Sequence, residues 1–188
     1  MNKWTRWLIL PSLLVLSGCG LVSNKKEIRD ADLVKASYQA ADALVKNAPQ
    51  LQLYQSRPIL VASFVDIDDV QRSSTFGRMV AEQVGSRLAQ HGYKVIEVKV
   101  RTDTIFTKGN AYSSEGEYLL SRELQDISRH HDAYALVAGT YGASKEVVYV
   151  TTKLIRAQDN IIMSSYDYSL PVGDNTRNLL RAATASRR

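Results

Sequence analysis

Cysteine occurs once in the 188 residues, at Cys19. A single thiol supports neither a disulfide framework nor a cysteine-based metal site, so the fold must stand on its apolar core. A strong excess of one charge is also missing, with 24 basic against 19 acidic residues. Such a balance lacks the clustered basic face of a nucleic-acid binder, and that class of partner is set aside. No Gly-x-Ser-x-Gly elbow or phosphate-cradling glycine loop is present, and the histidines His91, His130 and His131 have no context that makes one of them a base for a serine. No catalytic residue is therefore assigned.

The N-terminus is informative because of what it holds within a few residues. Lys3 and Arg6 precede an apolar run from Trp7 to Leu16, and Leu16-Ser17-Gly18-Cys19 follows directly. Ten residues are too few to span a hydrocarbon core that needs about 20, so the run reads as a cleaved leader and not as an anchor. The four-residue segment resembles the bacterial lipobox, with cleavage between Gly18 and Cys19 and a diacylglyceryl group on the thiol. The expected organisation is a signal peptide over 1–18, a lipidated tether over 19–29 and one domain over 30–188. Several acyl chains on Cys19 would hold the protein to a membrane almost permanently, since each buried CH₂ contributes about 0.8 kcal/mol. Gly20, where aspartate would mark inner-membrane retention by resemblance to enterobacterial sorting, favours the outer membrane, with the domain in the periplasm. The covalent lipid is the only non-protein group expected, and no cofactor or metal is assigned.

Beyond the tether, hydrophobic periodicity predicts a helix over about 31–47, with Asp30 as its N-cap, Leu33, Val34, Ala40, Ala41, Leu44 and Val45 on its apolar side, and Pro49 as its stop. Ile59 to Val65 is apolar and largely β-branched, which predicts a buried central strand. Ser73 or Ser74 caps a second helix on which Phe76, Val80, Val84 and Leu88 form one row. Gly77, Ala81 and Gly85 form a neighbouring row of small residues, which predicts close packing, most simply on a sheet. Gly92 ends that helix, and Tyr93 to Val100 mixes Lys and Glu with Val and Ile, as suits a strand near a sheet edge.

Residues 101–114 show no period and read as the longest loop. Ser114-Glu115-Gly116-Glu117 matches a capping box, predicting a third helix with Leu120, Leu124 and Ile127 on its buried face and His130-His131 at its end. Tyr134 to Tyr141 reads as a strand. Val147–Arg156 and Ile161–Leu170, joined by Ala157-Gln158-Asp159-Asn160, read as a hairpin, and a last helix covers about 174–183. This order predicts a single α/β domain with a mixed sheet of about five strands and helices on its faces.

Several motifs in this order carry a family resemblance. They are Ser74-Thr75-Phe76-Gly77-Arg78, Glu82-Gln83, Arg87-Leu88, Gly92-Tyr93, Gly116-Glu117 through Leu120-Ser121-Arg122-Glu123, and Val137-Ala138-Gly139-Thr140-Tyr141. From about Arg57 to Pro171 the chain resembles the FlgO family. The resemblance implies an outer-membrane or exported protein without catalysis, associated in some members with flagellar stability and motility. It makes Phe76, Gly77, Arg78 and Glu82 a candidate partner or packing motif, with Arg78 and Glu82 spaced for a surface ion pair. It leaves the protein partner unnamed.

Two alternatives remain at this point. One is a general periplasmic lipoprotein that recruits a peptidoglycan or secretion component. The other is a metal-dependent hydrolase built on Asp66, Asp68 and Asp69, which follow the first strand where α/β proteins often bind ligands. Those three acids do not match an EF-hand spacing and by themselves do not supply six ligands.

Overall fold

The computed structural model describes residues 28–69, 73–98, 106–108, 118–120 and 122–181. Cys19 and Gly18, the capping box at 114–117 and the end of the chain beyond 181 lie outside the described residues. In chain order the elements are α1 (Leu33–Asn47), β1 (Ile59–Ala62), β2 (Val65–Asp66), α2 (Thr75–Gln90), β3 (Val95–Val98), β4 (Phe106–Lys108), β5 (Tyr118–Leu120), α3 (Arg122–His130), β6 (Ala135–Ala143), β7 (Val147–Arg156), β8 (Ile162–Pro171) and α4 (Asp174–Arg181). A 3-10 turn over Pro49–Tyr54 follows α1.

The main sheet is mixed and six-stranded, in the order β3-β1-β6-β7-β8, with β2 pairing β6 as well. The strands β1, β2 and β3 run parallel to their neighbours, while β6, β7 and β8 form an antiparallel meander. All four residues of β1 are buried, as its apolar run predicts. By contrast β3, with its charged residues, occupies an edge next to β1. A parallel pair has to be joined by a crossover, and α2 supplies it between β1 and β3.

One face of the sheet carries the larger core. Leu44 of α1, Phe76, Val80, Val84 and Leu88 of α2, Val61 of β1, Val137 and Tyr141 of β6 and Leu154 of β7 pack there together. The smaller core on the other face joins Leu60, Leu136, Ala138 and Ile155 to Ile127 of α3. The small row of α2 meets the sheet as its spacing predicts. Gly85 faces Val61 and Val95, and a methyl group at Gly77 would collide with the Phe64 carbonyl.

Four expectations need correction. Asp32 caps α1, accepting from the Lys35 amide at 3.0 Å, whereas Asp30 caps the distant α4 by accepting from the amides of Asn175 and Thr176. A carboxylate satisfies whichever free helical amides tertiary packing brings to it. Val34 is 46% exposed, because α1 buries the Ser37, Ala40, Ala41 and Leu44 stripe against α2 and β8 instead. The run Ile59–Val65 is two strands and not one, with Ser63 and Phe64 interrupting it. Finally, Leu120 lies in β5 and not in α3, and 101–114 contains β4. These two short strands pair antiparallel, Phe106 with Leu120 and Lys108 with Tyr118. That pairing joins positions 10 to 14 apart, which helical periodicity does not register.

Candidate functional site

Phe76 and Gly77 sit at a junction that ties α2 to the sheet. Ser74 caps α2, its hydroxyl accepting from the Gly77 amide at 3.2 Å, and its own amide donates to the Tyr141 hydroxyl at 3.1 Å. The Ser73 hydroxyl donates to the Phe64 carbonyl at 2.9 Å, and the Phe64 amide donates to the Gly77 carbonyl at 3.2 Å. The Phe76 and Tyr141 rings meet edge to face at 5.5 Å. Gly139 lies against the Phe64 ring and the Thr151 carbonyl so closely that no Cβ fits. Thus Ser74, Phe76, Gly77, Gly139 and Tyr141, drawn from two separate sequence motifs, form one packed unit with no open surface for a ligand.

Arg78 and Glu82 are exposed on α2, and the expected ion pair is not formed. Arg78 donates instead to the Thr75 hydroxyl at 3.0 Å, three residues back. The ion pairing of α2 lies further along. Arg87 grips both oxygens of Asp42 in α1 at 2.7 and 3.1 Å, and the His91 Nε2 lies 2.6 Å from the same carboxylate. The Arg87 hydrogen bonds outweigh burial and hold the Asp42 carboxyl below its ordinary value. This cluster clamps α1 to α2 at their exposed ends.

The acidic loop is arranged for local structure. Asp66 Oδ1 accepts from the Asp68 amide at 3.0 Å, closing a turn over its own backbone. Among the described residues no three His, Cys, Asp or Glu side chains are grouped to hold a metal ion. His130 and His131 stack edge to face on each other, 5.1 Å apart, at the end of α3.

The concave polar surface lies elsewhere, where the end of α3, the start of β6 and the β7–β8 turn meet. A cleft of about 360 Å³ is lined by Arg57, Ser128, Arg129, Tyr134, Arg156 and Asn160 among others. Arg57 donates to the carbonyls of Asp132 and Ala133 at 3.0 and 3.3 Å and pairs with the Asp132 carboxylate at 2.9 Å. Its guanidinium stands 5.8 Å from the centre of the Tyr134 ring, whose other contact is a stacked Tyr54 at 3.9 Å. Arg156 pairs with Asp159 at 2.7 Å. Ser128 Oγ and Asn160 Oδ1 are buried and make no hydrogen bond among the described residues. The cleft therefore offers guanidinium donors beside a hydroxyl and an amide oxygen with spare hydrogen-bonding capacity, the equipment of a polar recognition surface.

Sequence reasoning missed this cleft. Arg57, Ser128, Tyr134 and Arg156 span about 100 positions, belong to no motif, and meet only because β6 lies between β1 and β7. The polar link at 157–160 was legible as a turn, not as one wall of a cleft.

Comparison with known proteins gives a fold and a family. The chain is similar in structure to the LpoB C-terminal domain from Salmonella enterica, with 15% identity, a TM-score of 0.45, and coverage of 71% of this chain and 96% of that one. For the LpoB C-terminal domain from Escherichia coli the values are 14%, 0.42, 73% and 98%. For a lipoprotein from Neisseria meningitidis they are 16%, 0.38, 63% and 82%. Among curated proteins none matches the chain. A family model described as FlgO protein matches residues 38–175.

Proposed function

The chain belongs to the FlgO family, and on that premise we propose that it is a non-catalytic envelope lipoprotein that supports the flagellum at the outer membrane by binding a protein partner. Cys19 carries the lipid, cleavage occurs after Gly18, and the domain stands in the periplasm. The observation that carries this reading is the family match, which runs through both helices of the α1–α2 pair, the whole main sheet and the first residues of α4. A lipid anchor confines the domain to a thin layer and raises its effective concentration toward partners there, which is a use for tethering that needs no chemistry. The arginine cleft is the surface assigned to the partner, because its donors are held in place by Asp132, Asp159 and Tyr134 before anything binds.

The test is swimming and filament count in a deletion strain complemented by the intact gene, by Cys19→Ser or by Arg156→Glu, at equal protein abundance. The expected result is loss on deletion, rescue by the intact gene alone, and an unchanged melting temperature for Arg156→Glu, since Arg156 takes part only in a surface pair. Normal swimming and filaments in the deletion strain would reject the flagellar role. Rescue by Arg156→Glu would remove the cleft from it.

A further inference from the structure

We propose that Ile67 and Tyr149 form a docking patch that rests on the lipid surface and sets the domain upright, with the arginine cleft pointing away from the membrane. This rests on the reading that Cys19 is acylated.

The tether enters the domain at one end of the sheet. Asp30 caps α4 and lies against Gly173, and the Val172 amide donates to the Glu146 carbonyl at 2.8 Å in the turn between β6 and β7. Only residues 19–27 separate Cys19 from the first described residue, Ile28, and nine residues reach at most about 30 Å fully extended. The β6–β7 turn is thus held within that distance of the anchored thiol.

The same end carries an apolar surface. Tyr149, two residues past the start of β7, is 61% exposed, and Ile67, just beyond β2, is 52% exposed. Gly142 lies between them. It pairs in register with Tyr149, and a Cβ on it would come 3.1 Å from Ile67 Cγ2, so the glycine keeps the two side chains on one level surface. Shallow space around them is bounded by Thr140, Ser144 and Thr151. Ser144 closes the adjacent turn, its hydroxyl donating to the Val147 carbonyl at 2.7 Å, and Lys145 is exposed at the tip. Tyrosine is suited to a membrane–water boundary, with an apolar ring and a wet hydroxyl, and lysine to the headgroup layer. The patch is small, and a free domain would not be held by it. A tethered domain needs much less, because docking is then intramolecular.

The consequence is geometric. β7 runs ten residues from the patch end to Arg156 in the cleft, about 30 Å at strand rise. Docking by Tyr149 presents the cleft at that height and in a fixed direction.

The test uses the lipidated full chain in vesicles of phosphatidylethanolamine and phosphatidylglycerol. The sequence has two tryptophans, Trp4 and Trp7, both in the segment expected to be removed. Tyr149→Trp therefore places one reporter in the patch. Ser165→Trp places one on the same sheet face, opposite Lys153 and about 13 Å further from the turn. Vesicle flotation reads the anchor, and quenching by brominated acyl chains reads the patch. The expected result is flotation of both variants, with a blue shift and loss of most emission for Trp at 149 and neither change at 165. Flotation without quenching at 149 overturns the docking and leaves the anchor standing. A blue shift at 149 without quenching assigns the patch to a second copy of the chain and also overturns it, as does equal quenching at both positions. A chain that does not float refutes the anchor and the docking together.

Discussion

Gly77 and Gly85 lie two helical turns apart on α2 and have opposite surroundings, so one substitution at each tests the packing argument. A Cβ at Gly77 would strike the backbone carbonyl of Phe64 and come within 2.9 Å of the Tyr141 ring. That carbonyl cannot swing aside freely. It accepts from Ser73, and the Phe64 amide next to it is bound to the Gly77 carbonyl itself. Overpacking of this kind costs about 1–3 kcal/mol, and contact with pinned backbone belongs at the upper end. The helix-propensity gain from alanine is at most about 1 kcal/mol. A net loss of about 2 kcal/mol is expected for Gly77→Ala, equivalent to about 4–8 °C in Tm for a domain of this size. At Gly85 the nearest atoms would be Val95 Cγ1 at 3.4 Å and Val61 Cγ2 at 3.6 Å, which is ordinary contact. Gly85→Ala should therefore keep the propensity gain and raise Tm by up to about 2–4 °C. Thermal unfolding followed by circular dichroism reads both. Equal Tm values for the two variants, or the order reversed, would refute the account of why α2 carries glycine.

Asp30→Ala removes the cap of α4 and should cost about 0.5–2 kcal/mol, with faster amide hydrogen exchange at Asn175 and Thr176 and no change in α1. The clamp between α1 and α2 should depend on acid. Asp42 has a lowered pKa in the folded state, so its contribution is complete above its unfolded value near 3.8 and is lost as pH falls through the lower folded value. Asp42→Asn should flatten that part of the stability profile, measured by urea unfolding across pH 2–5. At alkaline pH the sign reverses. Burial pushes the Tyr168 phenol up to about 12, so the unfolded chain ionises first and stability should fall between about pH 10 and 12. Tyr168→Phe should remove that slope, and an unchanged slope would exclude Tyr168 as its cause.

The fold was legible where local pattern and tertiary role coincide. The continuous apolar run at Ile59 announced a central strand, the Lys and Glu of the following strand an edge, and the polar link after Arg156 a hairpin. The small row on α2 announced close packing, and Gly77 and Gly139 give its reason in the collisions that any side chain would make. Asp30 shows where such reasoning stops. Its carboxylate suits an N-cap, and local sequence offered the helix next to it, yet it serves one 145 positions away.

What the sequence by itself determined is whatever a few neighbouring residues encode: the lipobox-like leader ending at Cys19, the helical and strand periods, the turn residues and the ordered FlgO motifs. Only the tertiary structure decided which of these sites meet. Arg57, Tyr134 and Arg156 converge because β6 passes between β1 and β7, and Ile67 meets Tyr149 across Gly142 because β2 adds to the far end of β6. Periodicity reports which face of an element is buried. It does not report which distant element covers that face, because strand order is settled by packing the whole core at once.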